Sequence, residues 1–171
     1  PYAECLSRCE FIDEGKRQAY KFDARMCALN RIGTKAADFR FEDRNGRVRR
    51  LHEIKAEFTV LFFSNPGCEA CMEIINALKN TPQITSLTAS GKVAVLNIYI
   101  DEDLEAWRSY MPIYPEEWFN GFDPDFVIRT DVLYNVRAIP SLYLLDKDKN
   151  VIMKDAVTER VLDFFSRFVE Q

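Results

Sequence analysis

The chain is predicted to be an α/β protein, a sheet packed between two layers, on three observations. "FTVLFFS" (58–64) is a continuous run of apolar, β-branched and aromatic residues, and "KVAVLNIYI" (92–100) repeats the pattern. Each run is followed by a stretch with helical spacing of its apolar residues. Strands without polar alternation need cover on both faces of the pleat, which parallel neighbours joined by crossover helices supply.

From the N-terminus, residues 1–30 read as helical, with Tyr2, Cys5, Leu6 and Cys9 on one face and Ala19, Tyr20, Ala24 and Cys27 on another. Gly15 is the expected break between two short helices, and Gly33 follows the second. "ADFRFEDRNGRVRRL" alternates Phe39 and Phe41 before Asn45-Gly46, a dipeptide suited to the φ > 0 positions of a hairpin turn. After the run at 58–64, "CEACMEIINALKN" spaces Met72, Ile75 and Leu78 as a helix that ends before Thr81-Pro82. Residues 102–135 are expected to form aromatic-rich helical pieces broken by Pro112, Pro115, Gly121 and Pro124. Then come a strand at 141–146, a tight turn at 147–150, a strand at 151–154 and an amphipathic helix from about Thr158. That helix turns Val161, Leu162, Phe164, Phe165, Phe168 and Val169 inward.

Size and charge narrow the function classes. At 171 residues, one core of ordinary size is expected. A formal net charge of −4 supplies no basic field, so nucleic acid is not the expected partner. No apolar stretch is long enough to span a bilayer. The chain opens on Pro1 and shows no signal segment, which reads as a processed or cut form with any targeting peptide, and any membrane tether it carried, out of view.

Five cysteines, Cys5, Cys9, Cys27, Cys68 and Cys71, are too few for a disulfide-built scaffold. Cys68 and Cys71 stand out in "FFSNPGCEACMEII". Cys68 falls just beyond the carboxyl end of a buried strand, at the start of a helix. There, free backbone N–H groups and the helix dipole favour a thiolate. Cys71 lies one turn deeper and is expected to stay a thiol. One sulfur can then attack a disulfide and the other resolve the mixed disulfide. A zinc site would need two more ligands, and His52 is the only histidine, so no metal or organic cofactor is expected. A permanently bridged structural pair is the bland alternative. Ile139-Pro140, directly before the strand at 141–146, is a second signal, because a proline there suits a cis bond facing the Cys68 helix end.

Together, "FFSNPGCEAC" and, about seventy residues on, "AIPSLYLLD" resemble the thioredoxin-like fold with its CxxC and cis-proline loop. "GTKAADFRFEDRNGRVRRLHEIKAEFTVLFF" resembles the opening of the TlpA/ResA-like branch, which adds an N-terminal hairpin, and the whole is similar to thioredoxin-like lipoproteins of bacteroidete-type bacteria. The resemblance implies a thioredoxin-like domain at 33–171 behind a helical extension at 1–32. It implies an attacking Cys68, a resolving Cys71, and a substrate groove at Ile139, Pro140 and Gly67. It also implies protein or peptide disulfides as substrates, an upstream dithiol as electron donor, and an extracytoplasmic location. Two departures stand out. Gly67 occupies the place of the tryptophan common before the first cysteine. Phe62 occupies the place of the buried acid six residues before it, so proton transfer at Cys71 must use water or another group.

Glu69 and Ala70 separate the cysteines and are the expected tuning positions. A carboxylate beside Cys68 opposes a thiolate there and biases the couple toward a reductant. A peroxidase would need Thr or Ser where Asn65 stands, with its proline further upstream than Pro66. A peptide-binding module without redox turnover is the rival class, and thiol cycling separates the two. The remaining features have modest expectations. Cys5, Cys9 and Cys27 are read as buried free thiols, with a bridge from Cys27 to one of the others as the alternative. His52, Trp107 and Trp118 are read as packing residues. Asp101, Glu102 and Asp103 are read as loop and helix caps, and Arg44, Arg47, Arg49 and Arg50 as a solvated face.

Overall fold

The computed structural model describes residues 2–136 and 138–169. Two helices open the chain, α1 (Tyr2–Ser7) and α2 (Glu14–Ala28), followed by the hairpin β1 (Arg40–Asp43) and β2 (Val48–Arg50). The centre is β3 (Phe58–Ser64), α3 (Glu69–Asn80), α4 (Pro82–Ala89) and β4 (Val93–Tyr99). Then follow α5 (Leu104–Tyr110), β5 (Phe119–Phe122), α6 (Val127–Thr130), β6 (Ser141–Leu145), β7 (Val151–Met153) and α7 (Thr158–Val169). The strands form one seven-stranded mixed sheet in the order β2-β1-β5-β4-β3-β6-β7. β3, β4 and β5 run parallel, while β1 pairs antiparallel with β5 and β6 antiparallel with β3.

The pleat of β3 explains why its sequence is apolar throughout. Val60 and Phe62 face α3, α4 and α7, packing with Ile75, Leu78, Ile84 and Phe165. Leu61 and Phe63 face the other way, onto Phe39, Phe41, Leu51, Tyr134 and Tyr143. The expected two-sided burial is therefore observed, but the layers differ. The second face is covered mainly by the segments that flank the hairpin (36–39 and 51–56) and by residues 127–136 rather than by long helices. Edge-to-face contacts of Tyr134 with Phe39 and Tyr143 lock that cover down, and the Tyr134 hydroxyl donates to the Ala37 carbonyl at 2.6 Å.

Several expectations need correction. β5 falls within the stretch read as helical pieces. Gly121 reads as a breaker, yet in β5 it permits close backbone approach to the neighbouring strand β1. The break between the first helices lies at residues 8–13, not at Gly15. Asp13 starts α2 by accepting a hydrogen bond from the Lys16 N–H at 2.9 Å, which leaves Gly15 in the first turn. In the hairpin only Gly46 has positive φ, at 74°; the Asp43 N–H reaches the Arg47 carbonyl across a three-residue loop. In α7, Val161 and Phe165 are fully buried while Leu162, Phe164 and Phe168 are half-buried; the Val169 side chain lies outside the described part.

The arginines are not one solvated face either. Arg49 pairs at 2.8 Å with the buried Asp43 and lies over the Phe119 ring. Arg44 donates to the carbonyls of Tyr114 and Pro115. Burial pushes the Asp43 carboxyl up, but hydrogen bonds from Arg49 and from the Arg47 and Asn45 N–H groups outweigh it and leave it below the usual value. A carboxyl lowered by folding stabilises the protein above its unfolded value and loses that contribution as pH falls through the folded one. Asp43→Ala should therefore cost about 1–2 kcal/mol at neutral pH. The gap between mutant and wild type, followed by thermal unfolding at pH 7 and at pH 2, should close at the acid end.

Candidate active site

The loop Asn65-Pro66-Gly67 carries the chain from the end of β3 to the start of α3. Gly67 has φ +73°, a backbone conformation that side chains resist. A Cβ there would also lie 3.5 Å from the Tyr110 hydroxyl, so α5 closes over the loop. The turn delivers Cys68 to the N-cap of α3, where its sulfur accepts a hydrogen bond from the Cys71 N–H at 3.2 Å. A sulfur in that position satisfies an orphan helix donor and feels the positive end of the dipole.

Cys68 is partly exposed, whereas Cys71 is 1% exposed. Burial, and then the hydrogen-bonded sulfur of Cys68, push the Cys71 thiol up to about 12, against a smaller opposing hydrogen bond from the Asn65 backbone. The two sulfurs thus differ as the spacing predicts: one is accessible at the helix end, and the other is a buried thiol beneath it. Glu69 and Ala70 are both exposed in the first turn.

The Ile139–Pro140 peptide is cis. Ile139 packs against both core clusters, and Pro140 lines an open groove of about 500 Å³. Ala70, Glu73 and Ile74 of α3 line that groove together with Asp155 and Val157. Ala70 and Pro140 therefore share a groove; Gly67, Glu69 and Ile139 do not line it.

Sequence reading missed several neighbours of the pair. The Asn65 amide donates to the Asp101 carboxylate, which also pairs with Arg129. Asp101 thus braces the cysteine loop, while Asp103 alone of the three acids caps a helix, accepting from the Ala106 N–H at 2.9 Å. Tyr114 and Trp118 are buried in the same cluster as Cys71. Ser64, Asn97 and Asn120 put buried polar groups on three adjacent strands, β3, β4 and β5. Asn97 within "VAVLNIYI" was the readable signal, because an amide in a buried strand needs partners. Trp107 and Trp118 are core residues as expected, and His52 bonds the Ala36 carbonyl through Nε2 at 2.8 Å. Cys5 and Cys27 are exposed free thiols and Cys9 is half-buried, which corrects the expectation that all three are buried. Among the described residues, no group of three or more His, Cys, Asp or Glu side chains is placed to hold a metal ion. Nor is any helix among them long and apolar enough to cross a membrane.

A family model described as thioredoxin-like matches residues 56–151, which include both cysteines and the cis-proline. The chain belongs to the thioredoxin-like family. A thioredoxin-like protein from Bacteroides caccae superposes with a TM-score of 0.94 at 38% identity, covering 99% of this chain and 60% of that one. The present chain thus spans about three-fifths of that relative's length. The C-terminal domain of an uncharacterized protein from Bacteroides fragilis is 45% identical, with a TM-score of 0.78 over 81% of this chain and 99% of that domain. A domain of a "possible thiol-disulfide isomerase" from Cytophaga hutchinsonii is 26% identical, with a TM-score of 0.66 over 84% of this chain and 96% of that domain. Comparison with curated proteins gives no match.

Proposed function

We propose that this thioredoxin-like protein is an extracytoplasmic disulfide reductase working through Cys68 and Cys71 on protein or peptide disulfides. The observation that carries the reading is the asymmetry of the pair, an accessible sulfur at a helix N-cap hydrogen-bonded to a buried thiol held up at about 12. The resemblance to the TlpA/ResA-like branch supports the compartment and a tether ahead of the chain.

In the forward direction, the Cys68 thiolate attacks one sulfur of the substrate disulfide, and the other substrate sulfur leaves as a thiolate. The Cys71 sulfur then attacks the Cys68 sulfur and loses its proton. The bond from Cys68 to substrate breaks, and the departing substrate sulfur takes that electron pair and the proton. The substrate gains two electrons, the Cys68–Cys71 pair is oxidised to a disulfide, and an upstream dithiol restores it. The groove beside Pro140 receives the extended substrate, and Glu69 disfavours charge on Cys68.

A dithiothreitol titration of the Cys5, Cys9 and Cys27 triple serine variant, read by alkylation and mass, tests this directly. A reversible two-electron transition near or below about −250 mV is expected. In the same background Glu69→Gln should raise the potential by about 10–30 mV. A transition near about −120 mV would make the protein an oxidant and overturn the direction proposed. Failure to exchange at all would favour a peptide-binding module.

A further inference from the structure

The groove beside Pro140 offers a substrate chain charge as well as room. Among the described residues that line it, three are carboxylates, Glu73, Asp155 and Glu159, and none is a lysine, arginine or histidine. Glu73 of α3 and Glu159 of α7 are exposed helix positions. Asp155 is placed more firmly. Its backbone is left-handed, with φ 47°, a region that aspartate enters more readily than most side chains. Its Oδ1 accepts a hydrogen bond from the Ser141 hydroxyl at 3.0 Å. Ser141 directly follows Pro140, so this carboxylate is tied to the strand end beside the proline.

The basic residues next to these acids in sequence are engaged elsewhere. Lys154 donates to the carbonyls of Leu29 at 2.5 Å and Cys27 at 3.4 Å. Arg160 lines a separate cavity with Met153, Phe164 and Phe168. The groove also presents apolar surface between its acids, because Val157 is 58% exposed and Ile74 is half-buried. Carboxylates set around apolar surface complement a lysine or arginine, whose hydrocarbon stem covers the apolar part while its charged head reaches the acid. Position sets the spacing. Glu73 lies five residues along α3 from Cys68, about 7–8 Å at the helical rise. An extended chain advances about 3.3 Å per residue, so one whose cysteine meets Cys68 passes Glu73 two to three residues away.

We propose that this groove selects peptide or protein disulfides that carry a lysine or arginine two to three residues from the attacked cysteine. Glu73, Asp155 and Glu159 hold the cation, and Ile74 and Val157 take its stem. The selection deepens, and rests on, the reading that Cys68 attacks a disulfide. The acids act on docking and leave the exchange chemistry unchanged.

The test is single-turnover reaction of the reduced Cys5, Cys9 and Cys27 triple serine variant with three symmetric peptide disulfides, followed by acid quench and chromatography. The peptides differ only in having lysine, glutamine or glutamate at the second and third positions on both sides of the cysteine, so chain direction does not matter. The second-order rate should fall in that order, with lysine ahead of glutamate by about tenfold or more at low salt and by much less at about 0.5 M salt. Glu73→Lys should bring the ratio below threefold or invert it, and Asp155→Asn, which tolerates the same backbone and keeps an acceptor for Ser141, should lower it in the same direction. Glu57→Lys makes the same change in net charge at an exposed site just ahead of β3, at the end of that strand remote from Cys68, and should leave the ratio within twofold of the parent. A parent ratio below threefold, or an equal effect of Glu57→Lys and Glu73→Lys, overturns the inference while leaving the reductase reading intact. A parent that reacts with none of the three peptides overturns both.

Discussion

Cys68→Ser should abolish reduction of a protein disulfide such as insulin, whereas Cys71→Ser should stall after the first attack and accumulate a mixed disulfide through Cys68. The geometry makes the two losses unequal in kind. Cys68 is the accessible sulfur at the N-cap, while Cys71 is 1% exposed. With its thiol held up at about 12 by burial, Cys71 stays protonated at neutral pH. On the proposed scheme it should attack only once the substrate is tethered above it and effective concentration replaces intrinsic reactivity. Non-reducing electrophoresis and intact mass should show one adduct per molecule for Cys71→Ser in the triple serine background, and none for Cys68→Ser. Equal trapping by both variants would contradict the assignment of roles. Brief alkylation of the native reduced protein should label Cys68 and spare Cys71, a control that needs no mutation in the pair.

How much of this was legible beforehand depends on the kind of signal each residue carries. β3, β4 and α3 could be read because burial leaves a pattern in the residues themselves; Val60, Leu61, Phe62 and Phe63 are all fully buried. The pair at 68 and 71 could be read because three residues make about one helical turn and strand ends are where such sheets present groups. β5 could not. Its four residues, Phe119 to Phe122, include an asparagine and a glycine, and its strand character comes from β1 and β4 on either side. The same limit hid Ser64, Asn97 and Asn120, whose meaning arises only when three strands bring them together. Arg44 and Arg49 looked like members of a charged surface run, and their acceptors, Asp43 and the carbonyls of Tyr114 and Pro115, emerge only after folding.

Those hidden contacts also connect the N-terminal hairpin to the central strands that carry the cysteine loop. β1 pairs with β5, β5 presents Asn120 to Asn97, and Arg44 of the hairpin turn binds the loop that carries Tyr114. The hairpin therefore does more than lengthen the sheet. It holds residues 114–122 through the β1–β5 pairing and the Arg44 hydrogen bonds to the carbonyls of Tyr114 and Pro115.

Gly121→Ala strikes that clamp at its narrowest point. A Cβ at Gly121 would lie 2.6 Å from the Glu42 carbonyl oxygen and 2.7 Å from Cδ2 of Phe41. The first obstacle is backbone, and Phe41 is fully buried, so neither can swing aside. Relief requires β1 to separate from β5, which breaks the Glu42–Phe122 and Asp43–Gly121 register and disturbs the Phe39–Phe41 packing. Overpacking of this kind costs about 3 kcal/mol, a fall of about 6–12 °C in midpoint for a chain of this size. Hydrogen exchange should localise the loss to β1, β2 and β5 and spare β3 and β6. If the clamp acts on the site as well, the variant should slow the Cys71 step more than the Cys68 step at temperatures well below its midpoint. Equal protection of β1 in variant and parent would mean that the strands tolerate the methyl group and the close approach does not constrain the sheet.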